Sequence, residues 1–202
     1  MNKTILAAGL LSAAVVVSPV AAGPASVGQP APDFSLADSN GAKHDLSSLK
    51  GKFVVLEWVN FECPFVQKHY GSGNMQKLQK AYTDKGVVWL SVNTSAPGKQ
   101  GNYAAADINS KLKASGASPS AYLIDAQGSV GKAYGAKTTP HMFVIDPQGK
   151  LVYAGAIDDK PSTDQSDIAG AKNYVATALD EAMAGKPVTT ASSQPYGCGV
   201  KY

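Results

Sequence analysis

The sequence predicts an α/β sandwich built on one central mixed sheet, with a β-hairpin at its N-terminal side. Three observations lead there. Two near-continuous apolar runs, Phe53 to Val59 and Val87 to Val92, have the pattern of strands covered on both faces. Stretches of helical spacing fall between such runs, and that alternation is the signature of a layered α/β domain. An Asn40-Gly41 pair between two short strand-like stretches marks a tight hairpin. At 202 residues, 44% hydrophobic and 8% aromatic, the chain is long enough for one domain to bury its own core without staples.

The first segment reads as an address label. Met1-Asn2-Lys3 gives a short positive start, Ile5 to Val17 is apolar apart from Gly9 and Ser12, and Pro19 breaks the run before Val20-Ala21-Ala22. The small residues at Val20 and Ala22 suit signal peptidase, and the apolar run falls short of the roughly 20 residues a bilayer span needs. A signal peptide over residues 1–22, cleaved after Ala22, is expected, with a retained anchor as the alternative. The remaining chain, from Gly23, is then periplasmic or secreted and makes no further membrane contact.

The domain is expected over residues 23–187. Phe34 to Leu36 and Lys43 to Leu46 form the hairpin, and Leu46 to Leu49 a short turn ending at Gly51. Phe53 to Val59 is the first buried strand. Cys63-Pro64 opens a helix, with proline at the first position, where a missing N–H costs nothing. That helix runs toward Ala81, with a break at Gly71-Ser72-Gly73. Val87 to Val92 is a strand and Tyr103 to Ala114 a helix. Tyr122 to Asp125 and His141 to Ile145 are strands, and Asp146-Pro147-Gln148-Gly149 turns the second of them into Leu151 to Ala156. Tyr174 to Ala184 places Val175, Ala178, Leu179 and Ala182 on one helical face, and Gly185 and Pro187 stop it. Residues 188–202 are rich in Thr, Ser, Gly and Pro and read as an irregular tail carrying Cys198.

Charge and cysteine usage narrow the chemistry. The 18 positive side chains are all lysine, and the formal net charge is +3. Bidentate guanidinium clamps on phosphate or carboxylate are therefore absent, and the dense basic patch of a nucleic-acid binder is missing. Only Cys63 and Cys198 carry thiols. With no CxxC and no Cys/His cluster there is no structural zinc pattern, and no cofactor is implied. In an oxidising compartment two thiols pair if geometry permits.

Several motifs carry a family resemblance. Ala31-Pro32-Asp33-Phe34-Ser35-Leu36, with Gly41 and Leu46-Ser47-Ser48-Leu49-Lys50-Gly51-Lys52, resembles the opening of the redoxin (AhpC/TSA-like) branch of the thioredoxin superfamily. That branch holds the peroxiredoxins and the exported thiol–disulfide reductases. Thr138-Thr139-Pro140 resembles the cis-proline loop of the fold, and Asp146 to Gly149 its final hairpin. The resemblance covers residues 27–185 and implies a thioredoxin-like fold. The ending Gly197-Cys198-Gly199-Val200-Lys201-Tyr202 resembles that of an exported peroxiredoxin-like subgroup.

The resemblance also assigns candidate roles. Cys63, at a strand-to-helix junction, occupies the place of the nucleophilic cysteine, where helix N–H groups and dipole favour a thiolate; an inert buried cysteine is the alternative. Three residues on, where thioredoxins have a second cysteine, stands Val66. Peroxiredoxins have a threonine or serine three residues before their cysteine and a proline eight before. Asn60 and Val55 stand there, and the family's activating arginine has no counterpart, so a conventional peroxidase is disfavoured. Glu57 matches the buried proton-relay acid of thioredoxins, or else is a strand-edge carboxylate reaching water or a lysine. Pro140 is expected to be cis, leaving the Thr139 backbone to pair with an extended substrate.

Three readings follow. One is a thiol–disulfide redox protein with Cys63 attacking, Cys198 resolving, and a protein or small-molecule thiol or disulfide as partner. The second is a binding protein with a static Cys63–Cys198 staple. The third is a copper chaperone-like protein using Cys63, His141 and Cys198. His69 and the acidic loop Asp158, Asp159, Asp164 and Asp167 are expected to be satisfied or solvated.

Overall fold

The computed structural model describes residues 24–202. The expected cleavage at Ala22 lies outside them. Strands β1 (Ser35–Ala37) and β2 (Lys43–Asp45) pair antiparallel across the Asn40-Gly41 turn. The Asp38 carboxylate shapes that turn by accepting the N–H groups of Asn40 and Ala42 at 2.8 and 2.9 Å, and Gly41 supplies the positive φ of +84°.

The central sheet has five strands. They are β3 (Val54–Trp58), β4 (Val88–Asn93), β5 (Ala121–Ile124), β7 (His141–Ile145) and β8 (Leu151–Gly155), in the order β5-β4-β3-β7-β8. The β3–β4 and β4–β5 pairs are parallel and the β3–β7 and β7–β8 pairs antiparallel, so the sheet is mixed and β3 is its middle strand. The cis Thr139–Pro140 bond joins β7 to a two-residue strand, β6 (Thr138–Thr139).

Alternation along β3 sorts the two cores. Val55 and Val59 face one layer, packed by Val66, Met75, Leu78, Ile108, Val175 and Leu179. Those residues come from helices α1 (Pro64–Gly71), α2 (Asn74–Thr83), α3 (Ala105–Ser115) and α5 (Tyr174–Met183). Val54, Leu56 and Trp58 face the other layer, closed by Phe34, Leu46 and two residues of α4 (Ser129–Tyr134), Val130 and Tyr134. The break expected inside the first helix is real: Gly73, at φ +73°, separates α1 from α2.

Two features depart from the sequence reading. Helix α4 was not expected; its six residues are bounded by Gly128 and Gly135, too short for an apolar stripe to register. Asp125 holds its start by accepting the N–H groups of Val130 and Gly131 at 3.3 and 2.8 Å. The tail is also more than irregular chain. Cys198–Gly199 forms β9, antiparallel to β6, and further bridges tie Ser192 to Ala154 and Lys201 to Ser95.

Candidate thiol active site

Cys63 is the N-cap of α1, in extended conformation at φ −77° and ψ 122°, with Pro64 beginning the helix. The turn before it is set by Asn60, whose carbonyl accepts the Cys63 N–H at 3.0 Å and whose side chain accepts the Glu62 N–H at 3.0 Å. This is what stands in place of a peroxiredoxin threonine: a loop-shaping amide. The Cys63 side chain is fully buried, and its thiol donates to the Thr139 carbonyl at 2.9 Å.

Cys198 is brought to the same point. In the β6–β9 pair Thr139 and Cys198 are register partners, and the Cys198 N–H lies 3.4 Å from Cys63 Sγ. Both cysteines are thiols here, and Cys198 is half-buried. Their acidities are pushed apart. Burial drives the Cys63 thiol up, but donors around its sulfur (the Cys198 thiol, Thr139, and the N–H groups of Val66 and Cys198) outweigh burial and hold it below the ordinary thiol value. Burial, reinforced by Cys63 itself, pushes Cys198 up to about 11. The buried Thr139 hydroxyl has no competing hydrogen-bond partner among the described residues, which leaves it to the sulfur.

Glu57 lies in the middle strand, not at an edge, and is fully buried. Oε1 accepts from Tyr70 at 2.8 Å, and Oε2 accepts from Trp89 Nε1 at 2.8 Å, Ser91 at 3.2 Å and Gln79 at 3.3 Å. Burial raises its pKa against the pull of these four donors, none of which bonds to Cys63. His141 is turned elsewhere. Its Nδ1 accepts the Lys137 N–H at 3.2 Å, and its ring packs on Phe143, in the core opposite to that of Cys63. The copper triad of Cys63, His141 and Cys198 is thus not assembled; among the described residues no group of three His, Cys, Asp or Glu is placed to hold a metal.

The sequence reading missed the site's second half. Asp158, expected in a solvated loop, is buried, and so are Lys68 and His69. Tyr196 enters this cluster from the tail, donating its hydroxyl to Asp158 Oδ1 and standing 3.3 Å from His69 Nε2. Beyond Cys198, the Ala96 N–H donates to the Lys201 carbonyl at 2.8 Å and the Tyr202 hydroxyl to the Ala136 carbonyl at 2.8 Å. The tail is therefore a strap fixed on both sides of Cys198. It does not hang as a free end that swings at modest cost.

Comparison with known proteins agrees with this layout. The Redoxin family profile matches residues 26–172. The chain belongs to the redoxin family. It is 31% identical over 126 residues to the thiol-disulfide oxidoreductase ResA of Geobacillus thermodenitrificans, covering 62% of this chain and 67% of that one. It is 30% identical over 149 residues to the thioredoxin-like protein YneN of Bacillus subtilis, covering 70% and 79%. Among solved structures, a hypothetical protein of Sinorhizobium meliloti aligns with a TM-score of 0.71 at 27% identity, over 89% of this chain and 96% of that one. A putative thiol:disulfide interchange protein DsbE of Chlorobium tepidum aligns with a TM-score of 0.53 at 27% identity, over 64% and 84%. This redoxin has a thioredoxin-like fold with a central mixed sheet, and no helix among its described residues is long and apolar enough to cross a membrane.

Proposed function

We propose that this redoxin is an exported thiol–disulfide oxidoreductase in which Cys63 attacks and Cys198 resolves. The observation that carries the reading is the pairing of two thiols of opposite acidity at one cis-proline loop, with the Cys198 N–H at 3.4 Å from Cys63 Sγ. The oxidoreductase relatives support the reaction class.

The Cys63 thiolate attacks one sulfur of a substrate disulfide, forming a mixed disulfide while the other substrate sulfur leaves with the electron pair and takes a proton. Cys198, losing its proton, then attacks Cys63 Sγ. The second substrate thiol is released and the Cys63–Cys198 disulfide remains, so the substrate is reduced by two electrons and the pair oxidised. The same steps in reverse oxidise a dithiol. In the resting thiol Cys63 donates to the Thr139 carbonyl, a bond given up on ionisation, and the neighbouring Thr139 hydroxyl is the donor available to the thiolate. Glu57, its pKa raised by burial, lies on the face of β3 that the Cys63 layer covers and is the candidate proton relay. Asn60, Val55 and the absence of arginine argue against a conventional peroxidase.

Complete burial of Cys63 favours one other reading, a static Cys63–Cys198 staple. The reduction potential of the pair separates the two. A structural disulfide sits below about −300 mV, and an exchanging pair above it. We expect equilibration with glutathione or dithiothreitol buffers to give the higher value, and a potential below that mark assigns the disulfide to structure. For export, N-terminal sequencing of the mature protein should begin near Gly23.

A further inference from the structure

The place the strap occupies reads a short sequence, and this points to a substrate. Three consecutive residues of the strap are tested by two parts of the fold, the Thr139 backbone beside Cys63 and a recess beside α1. At position 198 the backbone pairs with Thr139 and the sulfur meets Cys63. At position 197 there is room for glycine alone: a Cβ there would lie 2.1 Å from the Thr139 carbonyl oxygen and 2.7 Å from its carbon, and φ is +141°.

At position 196 the phenol fills a recess. Phe65 packs edge-on against the ring with centroids 5.8 Å apart, and Lys68 Nζ stands 5.8 Å from the ring centroid. The floor is polar. Asn74 Nδ2 lies 2.9 Å from His69 Nδ1, a pairing that leaves the proton on Nε2 to point at the Tyr196 hydroxyl, which donates onward to Asp158 Oδ1. Asp158 Oδ2 is buried without a hydrogen-bond partner among the described residues, 4.0 Å from Lys68 Nζ and 3.9 Å from His69 Nε2. An aliphatic side chain would fill the ring's volume and leave this floor unanswered.

We propose that the substrate is a polypeptide whose reacting cysteine lies in an extended Tyr-Gly-Cys segment, which replaces the strap on β6. This rests on Cys63 being the nucleophile. Pairing with the β6 backbone supplies affinity, and the glycine gap and tyrosine recess supply selectivity, as in other strand-addition modes. Substrate and strap cannot occupy β6 together. Cys63 is buried while the strap is docked, so an incoming segment displaces it, and its return delivers Cys198 to the mixed disulfide and expels the reduced substrate.

The test uses the full chain carrying Cys198→Ser and Tyr196→Ala, which removes the competing thiol and loosens the strap. Nonapeptides of sequence Gln-Pro-Tyr-Gly-Cys-Gly-Val-Lys-Tyr, each with its cysteine joined to thionitrobenzoate, are mixed with it. Cys63 attacks the peptide sulfur, and the coloured thionitrobenzoate thiolate leaves with the electron pair. The parent peptide should react about tenfold faster than its Gly→Ala analogue ahead of the cysteine, and several-fold faster than the Tyr→Phe analogue at the third position, on the scale of one lost hydrogen bond. Adding Asp158→Asn to the protein should erase the tyrosine preference and keep the glycine one. Equal rates for the three peptides overturn the proposal, and need no second protein variant to do so. If neither the peptides nor the small reagent dithiobis(nitrobenzoate) releases thiolate, Cys63 is no nucleophile and the function proposed above fails first.

Discussion

Thr139 holds both cysteines at once. Its carbonyl accepts the Cys63 thiol at 2.9 Å, and its backbone is the register partner of Cys198 in the β6–β9 pair. Gly197 makes this possible, because the chain passes so close to the Thr139 carbonyl that no side chain fits between them.

Gly197→Ala should therefore undock the strap locally while leaving the sheet intact. The expected outcome is faster alkylation of Cys63 at fixed pH and slower Cys63–Cys198 disulfide formation, with the denaturation midpoint lowered modestly. Timed alkylation followed by peptide mass mapping reads both. An unchanged Cys63 rate would mean that the strap does not gate the sulfur.

The two thiols should titrate separately. Thiolate absorbance against pH is expected to rise in two steps, the first, from Cys63, lowered from the ordinary thiol range and the second near 11. Cys63→Ser should abolish the first step. Cys198→Ala should abolish the second and move the first upward, because the Cys198 thiol is itself a donor to Cys63. A single step that belongs to both cysteines contradicts the division of labour.

Glu57 carries a pH signature of its own. Its folded pKa is raised, so above the free carboxyl value of about 4.3 the folded protein holds a proton that the unfolded chain has lost. Stability then falls as pH climbs from that value toward the folded pKa, by up to about 1.4 kcal/mol per pH unit. Glu57→Gln keeps the shape, cannot ionise, and should remove this slope in urea denaturation between pH 5 and 8. If the variant also shifts the first thiol step, Glu57 communicates with Cys63; an unmoved step confines it to holding Tyr70, Gln79, Trp89 and Ser91 together.

Much of this architecture was legible because it rests on local signals. The Phe53 to Val59 run, the Asn40-Gly41 turn and the Cys63-Pro64 helix start each name their element through residues adjacent in sequence. The place of Thr139 and Pro140 beside Cys63 was legible only through family resemblance. The tyrosine recess was legible by neither route. Lys68, His69 and Asp158 are ordinary surface residue types, buried here and joined by Tyr196, which lies 127 residues beyond His69 in the chain. Spacing and periodicity see only neighbours, so a polar cluster assembled by a docked tail leaves no mark on the sequence. The one available hint was the aromatic residue and glycine set just before Cys198.

The tail anchor should be acid-sensitive through His69. Burial, reinforced by the nearby Lys68 charge and opposed by Asp158, pushes the His69 pKa down to about 4. The imidazole is thus neutral in the fold, where its Nε2 proton serves Tyr196. In the unfolded chain it titrates near 6.5. Between those values the unfolded state binds the proton and the folded state does not, so stability falls as pH drops from 6.5 toward 4. From pH 6.5 to 5 the loss is roughly 1.5 kcal/mol for one such histidine. His141, also buried and pushed down to about 4, contributes a second share of similar size from the far side of the sheet. His69→Gln presents an amide N–H to Tyr196 but takes up no proton, so it should remove about half of the acid slope. The slope alone does not locate the effect, but Cys63 does. In the wild type its reaction with dithiodipyridine, a reagent that stays active in acid, should accelerate relative to a free cysteine as pH falls through 5, because a protonated His69 no longer fits between Lys68 and the strap. In His69→Gln that relative acceleration should vanish. Persistence of the acceleration would place the acid-labile contact elsewhere on the strap, with the Lys201 and Tyr202 anchor as the place to look.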